Sequence, residues 1–217
     1  MTGGHVHGGG PPPTPGQVSP ARLLATLGGV GALAGALILY VFAVTSPAIE
    51  AHRARRIDAA IREVLRGPER YDTLYVSGPT LTTEASVGAE AVYLGRAADG
   101  APTGYAIMAA APGFADVIGV IFGYDPATKT VLGMKVLESK ETPGLGDLIE
   151  KDTVWVAQFV GAQAPLQGVK LGRGTGSPAE IDLITGATIS SRTIVRIIND
   201  ALDRLGPALG SGSAIAP

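Results

Sequence analysis

Val117-Ile-Gly-Val-Ile-Phe-Gly-Tyr-Asp-Pro-Ala-Thr-Lys-Thr-Val-Leu-Gly-Met-Lys-Val-Leu-Glu138 decides the fold. Two short β-prone runs, Val117–Tyr124 and Val131–Glu138, flank the turn signal Asp125-Pro126, a pattern that predicts paired antiparallel strands. Upstream, similar runs at Thr73–Val76, Ala89–Arg96 and Gly104–Ala110 are punctuated by Asp99-Gly100 and Pro112-Gly113, which extends the pair into an antiparallel meander. Downstream, the pattern predicts a short helix around Asp147–Phe159 and one or two strands near Val169 and Ile181. Ile194, Ile198, Ala201, Leu202 and Leu205 then recur at helical spacing, so an amphipathic helix over Thr188–Leu205 is expected to cover the sheet. The fold class is α+β, and no internal repeat is visible.

Ahead of this domain the chain has a different character. With 46% apolar and 17% charged residues and a mean hydropathy of +0.28 over 217 residues, it is more apolar than an ordinary soluble domain. The excess is concentrated in Leu23–Val44, which carries no charge. At about 1.5 Å per residue that run spans about 33 Å as a helix, matching a bilayer core of about 30 Å and exceeding the ~7–15-residue core of a cleaved signal peptide. A retained transmembrane anchor is expected. Its small residues Gly28, Gly31, Ala32, Gly35 and Ala36 either let another helix approach closely or reflect general Ala and Gly usage. Ser46–Leu65 alternates charge with Ile49, Ile57, Ile61, Val64 and Leu65, the pattern of an amphipathic stalk. The expected organisation is a disordered Gly/Pro-rich tail over 1–20, the span over 21–45, the stalk over 46–66, the α+β domain over 67–205 and a flexible tail over 206–217.

Composition removes whole classes of chemistry. There is no cysteine, which excludes disulfides, thiol catalysis and Cys-ligated clusters. All three histidines, His5, His7 and His52, lie in the first quarter, so no Ser-His-Asp triad or His-rich metal site can form in the domain. From Gly67 onward 11 Lys and Arg face 16 Asp and Glu, and no basic footprint for nucleic acid remains. Arg53, Arg55 and Arg56 follow the span against Arg22 alone before it; charge counting by itself places the domain in the cytoplasm.

Two segments carry chemistry. In Asp182-Leu-Ile-Thr-Gly-Ala-Thr188-Ile-Ser-Ser191 a strand turns into the last helix. Thr185, Thr188, Ser190 and Ser191 cluster hydroxyls there, Gly186 permits a tight turn beside Ala187, and a helix start offers amides and a positive dipole end to a phosphate; an ordinary helix cap has the same residues. In Glu141-Thr-Pro-Gly-Leu-Gly146, Gly144 and Gly146 let backbone approach a flat ring, Leu145 offers an apolar face, and Glu141 and Thr142 can bond a ring's polar edge; a structural turn is the alternative. Gly172-Arg-Gly-Thr-Gly-Ser177 fits neither a dinucleotide fingerprint nor a P-loop and reads as a connector, while Trp155 and Phe159 read as core.

Asp182-x-x-Thr185-Gly-Ala-Thr188 resembles the flavinylation motif of the FMN-binding domain family. The Glu141–Gly146 loop resembles one shared by the G component of Rnf electron-transport complexes and the C component of the sodium-translocating NADH:quinone reductase. The resemblance covers residues 21–205, and the chain's length is nearer that of the Rnf component. It implies FMN bound covalently through a phosphoester to Thr188, with Asp182 orienting the acceptor or serving the attaching enzyme. It also implies partner subunits in an inner-membrane electron-transport complex and an extracytoplasmic domain. Long domains translocate largely regardless of flanking charge, so the extracytoplasmic side is expected despite the arginines. A threonine hydroxyl is a poor nucleophile and no histidine lies near, so a separate flavin transferase is implied. The expected function is electron relay without stand-alone catalysis. The quinone-reductase component, or a membrane-tethered assembly module without flavin, are the alternatives.

Overall fold

The computed structural model of the protein describes residues 19–85 and 87–210. Most of the expected N-terminal tail, residues 1–18, therefore lies outside the described residues. Both expected N-terminal helices belong to one element, α1 (Pro20–Val64), with Pro47 inside it. The hydroxyls of Thr45 and Ser46, next to that proline, donate to the carbonyls of Val41 (2.8 Å) and Phe42 (2.7 Å) and so need no outside partner. An 18-residue window of α1 reaches a mean hydropathy of 2.2 with none of it buried, which is long and apolar enough to cross a membrane.

The chain divides between His52 and Arg53 into two units, and the second contains the sheet with the last turns of α1. Six strands form it: β1 (Arg70–Ser77), β2 (Thr80–Thr82), β3 (Glu90–Arg96), β4 (Pro102–Pro112), β5 (Val117–Asp125) and β6 (Thr130–Glu138). Their order is β2-β1-β3-β4-β5-β6, every pair antiparallel. Strand β2 is the one the sequence did not announce; it is three residues long with only Leu81 buried.

Strand alternation gives the sheet two apolar faces. Tyr105, Ile107, Val120, Phe122 and Met134 point to one side, where α4 (Thr188–Gly210) covers them with Ile194, Ile198, Ala201 and Leu205. Ala106, Ile121, Met108 and Leu132 point to the other, against Ala60, Ile61, Val64 and Leu65. There the helix end comes very close: a Cβ on Gly123 would run into the Val64 carbonyl. Arg56 and Arg66 donate to the carbonyls of Leu137 (3.0 Å) and Leu132 (3.1 Å), and Lys135 pairs with Glu63, so the stalk's charges fasten it to β6.

Two boundaries, those of the middle and the last helix, differ from expectation. The Asp147–Phe159 helix is two short ones, α2 (Leu148–Lys151) and α3 (Thr153–Ala157), because the Asp152 carboxylate accepts the amides of Val154 (3.1 Å) and Trp155 (3.0 Å) and starts a new helix. The strands expected near Val169 and Ile181 are both present, as β7 (Gln167–Lys170) and β8 (Glu180–Leu183), and form a separate parallel pair. Residues 206–210, expected in a flexible tail, continue α4, because Ala208 and Leu209 extend its apolar stripe one turn beyond Leu205 and are each 1% exposed. The rest of that tail lies outside the described residues.

Candidate functional site

Strand β8 hands over to α4 through a tight turn. Gly186 adopts φ +87°, a region that a side chain with a Cβ rarely enters, and the Ala187 amide closes on the Ile184 carbonyl at 3.1 Å. Thr188 is therefore the first residue of α4, partly exposed, with its hydroxyl donating to the Ile184 carbonyl at 3.3 Å. The first amides of a helix have no partner within it, so polar groups gather at this end.

The Glu141–Gly146 loop is shaped by its own bonds. Gly144, at φ +78°, donates to Asp147 Oδ1 at 2.7 Å, and Leu145 donates to the Thr142 carbonyl at 3.2 Å. The Lys151 ammonium, 2.5 Å away, holds the Asp147 carboxyl below its ordinary range.

Together with the β4–β5 connection these segments enclose a cavity of about 330 Å³, near the small end of the ~300–1,000 Å³ usual for ligand sites. Of the residues expected at a site, Glu141, Thr142, Leu145, Gly146, Gly186, Ala187, Thr188 and Ser190 line it. Gly144, Thr185, Ser191 and Asp182 do not. Ser191 is fully buried behind it, its hydroxyl donating to the Ala187 carbonyl at 2.9 Å. Asp182 instead faces a second cavity beside Gly172, Gly174, Gly176 and Glu180, while its backbone carbonyl accepts the Trp155 indole at 2.6 Å. The amides of Thr175 (2.7 Å) and Gly176 (3.0 Å) are spent on the Glu180 carboxylate, which makes that glycine loop a connector. Trp155 and Phe159 pack edge to face at 5.0 Å in the core.

Two cavity residues escaped the sequence reading: Phe114 and Ile189. Both are large and exposed, 68% and 51% respectively. The available signal was position: Phe114 follows Pro112-Gly113 between two strands, and Ile189 stands off the buried stripe of α4.

Glu141 is the only ionisable side chain lining the cavity among the described residues, and it is 6% exposed. Its Oε1 accepts the amides of Phe114 (3.0 Å), Ala115 (2.9 Å) and Asp116 (3.4 Å), and its Oε2 accepts the Ser190 hydroxyl at 2.5 Å. Burial pushes this carboxyl up, but the Ser190 hydroxyl and the three amides outweigh it and leave it below the usual glutamate value. Both oxygens thus have protein partners, Oε1 three amides and Oε2 one hydroxyl.

Comparison with known proteins bears on this geometry. The FMN-binding domain family matches residues 113–203, from the loop that carries Phe114 to the middle of α4. The chain is 30% identical over 165 residues to the G component of the ion-translocating oxidoreductase complex of Vibrio vulnificus, covering 74% of this chain and 77% of that one. It is 31% identical over 173 residues to the Vibrio cholerae G component, covering 77% and 81%. With its Methanosarcina acetivorans counterpart it shares 28% over 182 residues, covering 84% and 92%. Among solved structures, Shewanella oneidensis NqrC superposes with a TM-score of 0.67 at 15% identity, covering 74% of this chain and 98% of that one. The C component of the Na(+)-translocating NADH-quinone reductase from Parabacteroides distasonis gives 0.55 at 21%, covering 63% and 76%. These last two likenesses are of fold.

Proposed function

Because the chain belongs to the family of G components of ion-translocating oxidoreductase complexes and contains an FMN-binding domain, we propose that it is a membrane-anchored electron relay carrying FMN as a phosphoester on Thr188. One observation carries the proposal: Thr188, partly exposed at the head of α4, shares a cavity with the distant Glu141–Gly146 loop. The residues fit the group. Phe114, Leu145, Ala187 and Ile189 give apolar walls suited to a flat ring, and a helix start gives a phosphate its amides and dipole. When bound, FMN supplies the ability to accept and release electrons one or two at a time.

The chain's own part is to hold and orient. Leu145 and Ile189 would shield the ring from water, and Gly146 leaves room for the Glu141 side chain. Attachment needs help from outside. A threonine hydroxyl is a poor nucleophile, and among the described residues no histidine or other ionisable side chain besides the buried Glu141 lines the cavity, so in this reading a flavin transferase makes the bond. Asp182, outside the cavity, serves that loading step in this reading. Asp182→Ala is expected to lower loading and leave the spectrum of loaded protein unchanged; unaltered loading confines Asp182 to the turn.

The domain faces the extracytoplasmic side of a bacterial inner membrane in this proposal, beside other subunits of the complex. A membrane-impermeant protease added to right-side-out vesicles is expected to cleave it. Cleavage only after lysis reverses the orientation and credits Arg53, Arg55 and Arg56. The attachment itself is tested by Thr188→Val, which keeps the shape and is expected to abolish the covalent flavin without unfolding the domain.

A further inference from the structure

We infer that Phe114 is a ring-contacting residue of the flavin site, and that Glu141 acts through it as the positioning residue that fixes the Gly113–Asp116 loop at the cavity's edge. The inference rests on the reading that FMN occupies this cavity.

Burying a carboxylate is costly unless its oxygens are fully bonded. Both Glu141 oxygens find donors within the protein, and three of the four partners are consecutive amides of one irregular segment. No strand or helix includes residues 113–116; besides the Glu141 contacts, Gly113 donates to the Asp116 carbonyl at 2.8 Å, and at the far end Asp116 pairs with Lys140 at 3.3 Å, whereas for Phe114 and Ala115 the amide bonds to Glu141 are the anchors. Glycine closes on the carboxylate from both sides. A Cβ on Gly113 would meet Glu141 Oε1 at 2.6 Å, and one on Gly146 would meet Glu141 Oε2 at 2.8 Å. The bonding thus permits one placement of the loop.

What that placement presents is the Phe114 ring. It is 68% exposed, so it contributes little to the core, yet it lines the cavity and is the only aromatic side chain that does so among the described residues. An aromatic face held at a cavity beside exposed Leu145 and Ile189 is suited to another flat ring, because offset or edge contacts between rings add to simple burial. Glu141 therefore contributes by locking Phe114 in place through its Oε1.

The test uses the full chain, flavinylated by co-expression with a flavin transferase and solubilised in detergent. In Phe114→Trp, the indole in contact with the isoalloxazine donates an electron to its excited state and quenches it. A severalfold loss of flavin fluorescence per covalently bound flavin, relative to wild type, is expected. Adding Glu141→Ala frees the loop and restores most of the emission, whereas adding Glu141→Gln, which keeps the shape and an acceptor for the amides, leaves the quenching in place. If the alanine variant does not fold, Gly113→Ala with Phe114→Trp displaces the same loop without altering the carboxylate and must also restore emission. Unchanged fluorescence in Phe114→Trp, with the flavin mapped to Thr188, overturns the ring contact. Quenching that survives loop release overturns the role of Glu141. Absence of flavin from Thr188 in wild type is a different failure, that of the proposed function, and peptide mass mapping of the same samples separates the two.

Discussion

Glu141 and Glu180 use the same device at two places in the domain, each gathering loop amides onto a carboxylate, but with different reach. The partners of Glu180, Thr175 and Gly176, lie five and four residues away, and the result is one stiffened surface loop. Those of Glu141 lie 25 to 27 residues before it and, at Ser190, 49 after it, so one side chain joins the β4–β5 connection, its own loop and the head of α4. Hydrogen bonding holds both carboxyls below the ordinary range. For Glu180 the Thr175 hydroxyl leads; for Glu141 burial opposes and is outweighed. A local carboxylate shapes its neighbours, whereas a buried non-local one determines whether a site exists.

Deleting both carboxylates puts the contrast under the greatest stress. Glu141→Ala should cost about 3 kcal/mol in chemical denaturation, combining a lost charge-assisted bond with amides left unpaired in buried surroundings, while Glu180→Ala should leave the midpoint nearly unchanged. Equal effects would remove the distinction. The glycines offer a gentler version. An added Cβ on Gly146 meets the Glu141 Cβ at 2.7 Å, and one on Gly174 meets Glu180 Oε2 at the same distance. Gly146→Ala is expected to cost about 1–3 kcal/mol because its neighbours are packed. Gly174→Ala should be nearly silent because its loop is exposed and can yield.

Acidity tests the Glu141 bonds as well. A carboxyl whose folded pKa is depressed contributes stability that is fully present above its unfolded value, about 4.3 for glutamate, and is lost as pH falls through the lower folded value. Wild type should therefore lose stability in that acid window more steeply than Glu141→Gln, measured by denaturation at stepped pH. The slightest change belongs to the apolar wall. Leu145→Ala should shift the bound flavin's one-electron potential by roughly 40 mV, equivalent to about 1 kcal/mol of altered contact, on redox titration. An unchanged potential would mean that the ring does not rest on this loop.

What could be read from the sequence follows the same division between local and distant. Val117–Tyr124 and Val131–Glu138 were legible as β5 and β6 because β-prone composition and the Asp125-Pro126 turn are local signals. The stripe of α4 was legible to Leu205, and its last turn was missed because Gly206 and Pro207 read as breakers. Strand β2 offers too few residues to show a period. Around the cavity, the hydroxyls near Thr188 were visible as a cluster, but not that Ser191 turns inward while Thr188 stays partly exposed, which the helix phase decides. Glu141 was visible as a site residue. That its oxygens belong to Phe114, Ala115, Asp116 and Ser190 depends on chain segments brought together only by folding.

Whether this domain holds FMN on Thr188 beside the Glu141–Gly146 loop is decided by mass spectrometry of protein purified from membranes that contain a flavin transferase. Expected are an intact mass raised by one phosphoester-linked flavin, a peptide map assigning it to the Asp182–Ser191 segment at Thr188, and complete loss of the added mass in Thr188→Val. An unmodified chain under those conditions, or a flavin mapped to another residue such as Thr193, would contradict the attachment proposed for Thr188.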